Sequence, residues 1–492
     1  MLEILKKIGK HSSIYACSDI LEKSIGFLLI PIYTKYLSPA DYGIIELLSI
    51  NLSMMILISV QGMTSSFFRA YSFDWDNDVE RKEVVTTAYF YTVFSAFVIF
   101  SLLYLLSEKI SILVFSDSKY NFLLSLTFIS GFFRVSTYIP FQVLRANSKS
   151  ITFSIINFTQ FLIGVSLNIF FVVYQRLGAN GVFYANVIVS VTTSIITFIV
   201  IKKHIIFSFS FDKLKRMLSF GLPYVPSGIF LWIITVSDRF FIQHYSSQTE
   251  LGLYSLSYKF SKISDLLFVN PFMLVWPSIY FPLAKEKNAK ESFSKFMNIY
   301  SLFIAFGGLG LILFTGPVIR LITPKTFWKA NDAVFLIVSS SILYGVLFVL
   351  NVGIEVTRKT KLNVITIGSS AFFNLLLNYL LIPSYGMMGA AVATFASYVF
   401  MIIVAQKINE KYYPIKYDWN KVLKVVFAFT VSIALSFIIK SENILNDFLC
   451  KLLLLSIYPI ILYYLKYFSI AEIKSIRELS FQFIEKFKLK VM

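Results

Sequence analysis

Three charged side chains stand close together near the start of the chain. Asp19, Glu22 and Lys23 are spaced i, i+3 and i+4, so a helix would carry them on one face. A second set, Lys259, Lys262 and Asp265, repeats at three-residue intervals downstream, and Arg134 stands alone in GFFRVSTYIP. Asp238 and Arg239 are neighbours in TVSDRFFIQ, and Glu46 follows SPADYGII. Lysine and arginine can hold phosphate or diphosphate oxygens, and a carboxylate that gains and loses a proton can couple movement of an anion to an ion gradient. Tyr258, Ser261 and Ser49 lie near these stripes and could offer hydroxyls to a sugar. There is no phosphate-cradling GxxxxGK loop, His11, His204 and His244 have no metal-ligand spacing, and Cys17 and Cys450 form no disulfide framework. The expectation is binding and movement of a hydrated anion, with no catalytic residues, metal or cofactor.

The elements that must position these charges are membrane helices. The chain is 57% apolar and 15% charged, with a mean hydropathy of +0.72, whereas soluble domains are about a quarter charged. Fourteen apolar stretches, each long enough to cross ~30 Å of hydrocarbon, are expected near 12–35, 43–66, 84–107, 121–143, 151–174, 180–201, 217–243, 250–281, 297–319, 331–354, 362–382, 387–406, 422–439 and 447–465. With the N-terminus inside, 31 of the 45 Lys and Arg fall in cytoplasmic segments and 9 outside. That asymmetry places both termini in the cytoplasm and explains the net charge of +18 without nucleic acid as a partner. The tail IAEIKSIRELSFQFIEKFKLK, from 470, has an apolar face flanked by Lys and Arg and is expected to lie along the inner membrane surface.

Counted at ~1.5 Å per residue, Lys23 lies ~16 Å from the inner end of its span, Lys262 ~18 Å from the outer end, and Arg134 ~14 Å from the inner end. Charges at such depth need water or partners. A water-filled cavity and an internal ion pair are the two readings. Asp238 and Arg239, ~9 Å deep, and the shallower Glu46 are equally open to an interfacial or locally paired role.

The chain also repeats itself. YLSPADYGIIEL at 36–47 aligns with YSSQTELGLYSL at 245–256 at an offset of 209, and LGANGVFYAN at 177–186 aligns with YGMMGAAVAT at 385–394 at an offset of 208. Gly43 falls on Gly252, Gly178 on Gly386 and Gly181 on Gly389. Two parallel six-helix lobes are expected, 1–206 and 207–408, followed by 409–492 with helices 13 and 14 and the basic tail. The recurring glycines suit tight turns and close helix approach, and Pro223 and Pro226 in FGLPYVPSG should break or bend the chain where the second half begins.

SIGFLLIPIYTKYLSPADYGIIELLS and NLLLNYLLIPSYGMMGAAVAT resemble the Wzx-type oligosaccharide flippases of polysaccharide biosynthesis, in the superfamily that also holds the MATE drug exporters and the lipid II flippase. The resemblance implies an all-α polytopic membrane protein of two helix lobes. It implies alternating access, with a polyprenyl-diphosphate-linked oligosaccharide moved from the inner to the outer leaflet of the bacterial cytoplasmic membrane. It places helices 1, 2, 7 and 8 around the passage, where Asp19, Glu22, Lys23, Glu46, Asp238, Arg239, Lys259, Lys262 and Asp265 fall. A proton or sodium gradient, a polysaccharide polymerase and a chain-length regulator are its implied partners. Three alternatives remain: a lipid II flippase, a MATE-type small-molecule exporter, and a membrane-embedded polymerase. The last would carry a large external loop, whereas the longest internal loop here is SFDWDNDVERKE, around 72–83.

Overall fold

A computed structural model describes residues 29–468, apart from 76, 148, 358–360, 440 and 442. Asp19, Glu22, Lys23 and the basic tail therefore lie outside the described residues. Every regular element among those described is helical. In chain order the helices are α1 (Ile30–Tyr36), α2 (Pro39–Val60), α3 (Met63–Arg69), α4 (Asp78–Leu105), α5 (Ser107–Phe115), α6 (Asn121–Ser136), α7 (Tyr138–Ala146), α8 (Ser150–Asn168), α9 (Gly178–Ile201) and α10 (Phe211–Gly221). They continue with α11 (Tyr224–Tyr245), α12 (Gln248–Ser264), α13 (Asn270–Leu283), α14 (Ala289–Ile322), α15 (Asn331–Leu350), α16 (Val352–Val356), α17 (Lys361–Tyr412), α18 (Trp419–Ile438) and α19 (Ile444–Tyr464). A bilayer offers no water to the backbone, so helices that close their own hydrogen bonds are the way such a chain can cross it.

Eleven helical stretches are long and apolar enough to span a membrane. One of them, Leu362–Tyr412, covers two of the expected spans: its helix α17 is broken at Gly386, whose φ of 51° and ψ of −131° no helix contains. The expected eighth span corresponds to α12, a π-helical turn at Asp265–Val269, and α13, a run that is not among the eleven. The expected first span is described only from Leu29 onward. Large apolar side chains such as Phe94, Leu105, Leu113, Ile155, Leu376 and Leu453 point outward, as lipid-facing surfaces require.

The seventh span differs from expectation at its start. Phe211–Gly221 forms a separate amphipathic helix, and α11 begins only at Tyr224 with Pro223 as its N-cap. Pro223 lacks the N–H that a helix interior would use, so the chain breaks there and restarts.

The described chain forms two compact units. One comprises residues up to Lys259 with Ile322–Ile337 and Val364–Met401; the other comprises Phe260–Leu321, Val338–Asn363 and the chain from Ile402. In the second unit Lys451 binds the Ser436 and Ile439 carbonyls, each at 2.9 Å, and pairs with Asp447 at 3.8 Å. Tyr458 and Tyr467 donate to the Leu302 and Asn298 carbonyls, fastening α19 and the residues just after it to α14.

The first unit explains the repeated loops. Ser38 caps α2 by accepting from Asp41 N–H at 3.1 Å while Asp41 accepts from the Ser38 N–H and hydroxyl. Ser247 does the same at the start of α12, accepting from Glu250 N–H at 3.1 Å. Between these capped ends the helices cross with backbone against backbone. A Cβ on Gly43 would meet the Gln248 carbonyl and stand 2.9 Å from Gly252 N, and a Cβ on Gly252 would meet the Pro39 carbonyl and stand 3.0 Å from Gly43 N. The contact is reciprocal, each glycine pressing on the carbonyl four residues before the other. Glu250 then reaches α17, where its Oε2 accepts from Met387 N–H at 2.9 Å just past the Gly386 break. A Gly252→Ala substitution is expected to lower stability by roughly 1–3 kcal/mol, the usual range for overpacking, read as a reduced melting temperature of the detergent-solubilised protein. Gly310→Ala, with open space around it, should leave that temperature unchanged.

Candidate functional site

Beneath the α2–α12 crossing lies a buried polar cluster. Arg239 donates to Asp238 Oδ1 at 2.7 Å and to the Thr235 carbonyl at 2.7 Å, with both side chains almost fully buried. The second carboxylate oxygen of Asp238 accepts from Tyr254 at 2.6 Å and lies 3.4 Å from the Thr394 hydroxyl and 3.5 Å from that of Tyr258. The Arg239 guanidinium stacks on the Tyr258 ring at 3.7 Å, with Tyr254 at 5.3 Å. Ser237 and Asn378 both donate to Asn374 Oδ1, at 3.4 and 2.9 Å, extending the network into α17. Desolvating this pair is costly, and the cost is offset because both Asp238 oxygens accept hydrogen bonds, although Arg239 Nε, Asn374 Nδ2 and Asn378 Oδ1 are buried without a partner among the described residues.

Lys259, the residue after Tyr258 on α12, places its ammonium over the Tyr42 ring at 4.6 Å. This is a cation–π contact. Glu46, one turn along α2 from Tyr42, is half-buried and within electrostatic reach of both Lys259 and Arg239. Two cations, Arg239 and Lys259, thus lie near two carboxylates, Asp238 and Glu46.

The second unit holds the rest of the α12 stripe. Lys262 bonds Asp265 at 2.9 Å, with the lysine side chain 62% exposed and the carboxylate 23%. Ser341 donates to the other Asp265 oxygen. Asp265 opens the π-helical turn that precedes α13. Such single π turns inside helices occur frequently at functional sites. Arg134 is exposed in the last turn of α6.

The sequence reading placed Asp238 and Arg239 with the head-group set or as a local pair; the structure places them in the interior, bonded to each other. Their neighbours Tyr42, Tyr254, Thr394, Asn374 and Asn378 were not singled out. The spacing of Tyr254 and Tyr258, four residues apart on the face of α12 that also carries Glu250, was the available signal. Of the hydroxyls read as sugar contacts, Tyr258 belongs to the buried cluster, Ser261 is buried, and Ser49 is exposed with its hydroxyl donating to the Ile45 carbonyl. Among the described residues no group of three His, Cys, Asp or Glu side chains converges as metal ligands would.

The fold is that of multi-pass membrane transporters. An inward-closed structure of the lipid II flippase MurJ superposes with a TM-score of 0.68 at 19% identity, covering 92% of this chain and 98% of that one. An inward-facing MATE-family multidrug transporter of the MOP superfamily gives 0.67 at 12% identity, covering 79% and 94%. A family model described as "Polysaccharide biosynthesis protein" matches residues 32–331, more than half of the sequence, and the chain belongs to that family. The resemblance carried by YLSPADYGI and IPSYGMMGAA is borne out at that level. Among curated relatives, the "Probable low-salt glycan biosynthesis flippase Agl15" of Haloferax volcanii is 20% identical over 220 residues, 43% of this chain and 46% of that protein. The chain therefore matches under half the length of this relative. An Lsg-locus protein of Haemophilus influenzae is 21% identical over 301 residues, 59% of this chain and 70% of that protein.

Removing one member of the buried pair should be far more damaging than removing an exposed charge. Asp238→Asn leaves Arg239 uncompensated and is expected to cost about 3–5 kcal/mol, seen as loss of folded protein on size-exclusion chromatography. Lys262→Ala should change stability by less than about 1 kcal/mol and leave the elution profile intact.

Proposed function

We propose that the protein is a flippase that carries a polyprenyl-diphosphate-linked oligosaccharide from the inner to the outer leaflet of a bacterial cytoplasmic membrane, with both termini on the cytoplasmic side. Hydrocarbon excludes the diphosphate-sugar head and accepts the polyprenyl tail, so only the head needs a polar passage. The observation that carries this reading is the accessible Lys262–Asp265 pair where α12 passes into a π-helical turn, at a position that counting along the expected span puts ~18 Å deep. Charges at that depth persist where water or a polar cargo meets them. Lys259, Arg134 and, outside the described residues, Lys23 supply the further cations for the head group. Membership of a polysaccharide biosynthesis family supports the choice of cargo.

Residues 1–206 and 207–408 act as two lobes, with 409–492 appended. The equivalent glycines support this division: Gly43 and Gly252 meet each other, Gly178 and Gly386 both have positive φ, and Gly181 and Gly389 both press on the preceding backbone. A proton or sodium gradient drives the cycle through Asp265 and Glu46, together with Asp19 and Glu22. Asp238 and Arg239 serve as the rigid support beside the passage. A polymerase and chain-length regulator receive the cargo on the far side.

Reconstitution into vesicles holding a fluorescent polyprenyl-diphosphate oligosaccharide tests the cargo and the residues together. Lys262→Ala should slow flipping by about tenfold or more, the loss of one charge-assisted contact, and Asp265→Asn should abolish the response to an imposed gradient. Flipping by both variants at the unmodified rate would contradict the assignment. Selective flipping of lipid II would move the cargo to the peptidoglycan precursor.

A further inference from the structure

Within the first unit, α3 and α10 line two adjoining open clefts of about 570 and 610 Å³. They share Arg69, Asp74 and Phe220. The first is walled mainly by Phe68, Phe220 and Tyr224; the second adds Arg216, Ser66 and Ser219. One chamber is therefore largely apolar and the next polar, with an arginine at the boundary.

The arginines are held for reception. The Arg69 guanidinium lies over the Phe220 ring at 4.6 Å, and Asp74 approaches only its Nε, at 3.7 Å. Arg216 faces the Trp75 ring at 5.9 Å, which leaves its charge exposed. The cavity walls carry two cations and one carboxylate. Beneath them Gly62, at φ 69°, packs backbone to backbone on Gly221, so α3 and α10 cannot drift apart without losing that fit. The π-helical turn Ala70–Asp74 carries Asp74 back toward Arg69. Phe68, Leu222 and Tyr224 are exposed beside the apolar chamber, as they would be against lipid. Arg69, Asp74 and Arg216 lie in the segments 67–83 and 202–216, which the charge asymmetry assigns to the inner face.

We propose that this paired cavity binds the diphosphate of an isoprenoid lipid at the inner membrane surface, Arg69 and Arg216 holding the diphosphate and Phe68, Phe220 and Tyr224 the first isoprene units. It is a loading site, separate from the Lys259–Asp265 stripe, and rests on the flippase reading above. Guanidinium groups suit such an anion because each can donate two parallel hydrogen bonds to phosphate oxygens. The apolar chamber selects a phosphate borne on a hydrocarbon chain over a soluble one.

Farnesyl diphosphate is the probe, titrated into the full-length protein in detergent and followed by calorimetry. Arg216→Ala, whose side chain is exposed, should weaken binding about tenfold, and Asp74→Asn should strengthen it severalfold by removing a like charge. A purely structural role for Asp74 would give no such gain. Inorganic diphosphate and farnesol should each bind at least tenfold more weakly. Unchanged affinity in both Arg216→Ala and Arg69→Ala would overturn the proposal, as would inorganic diphosphate, farnesol or dioctanoyl phosphatidylglycerol binding as tightly as the probe. If only Lys262→Ala weakened binding, the ligand would sit in the passage: the loading site would fall and the flippase reading would stand.

Discussion

The structure of the first unit hangs on the crossing of α2 and α12 at Gly43 and Gly252, where two helices meet with no side chain between them. In lipid there is no hydrophobic force to press helices together, so close backbone packing and hydrogen bonds must do it. Here they occur together. The crossing brings Tyr120 within 3.0 Å of Gln248, lets Glu250 cap the second half of α17, and sets Tyr42 against Lys259. It also fixes the height at which Tyr254 reaches Asp238. A residue with a side chain at either position would separate the helices and uncouple all four contacts.

Charge in this protein falls into two kinds, distinguished by whether the partners saturate it. Asp238 and Arg239 are enclosed by donors and rings and almost fully buried, out of reach of a cargo in this structure. Lys262 and Asp265 are bonded to each other, and the lysine side chain is open to its surroundings.

Much of this was legible in the sequence. The mean hydropathy and the recurring apolar stretches indicated the membrane class, and the 209-residue offset picked out the glycines that meet in space. Depth counting located the charges along each helix but carried no information on rotation about the helix axis. Asp238 and Lys262 therefore looked alike, although one faces the packed interior and the other does not. The linker helix α10 was absorbed into the seventh span because MLSFG at 217–221 is apolar; only Pro223 marked the break. The Arg69–Arg216 cavity had no linear signature, since its walls lie about 150 residues apart and are joined by the Gly62–Gly221 contact.

The central claim is that the cargo is a lipid-linked oligosaccharide, and depletion of the protein in its own cell tests it most directly. The polyprenyl-linked lipids would be extracted and analysed by mass spectrometry, with leaflet assigned by protection from an added membrane-impermeant glycosidase. Build-up of a single diphosphate-linked oligosaccharide on the cytoplasmic face is the expected result. An unchanged pool of polyprenyl-linked lipids would contradict it and point to export of small molecules.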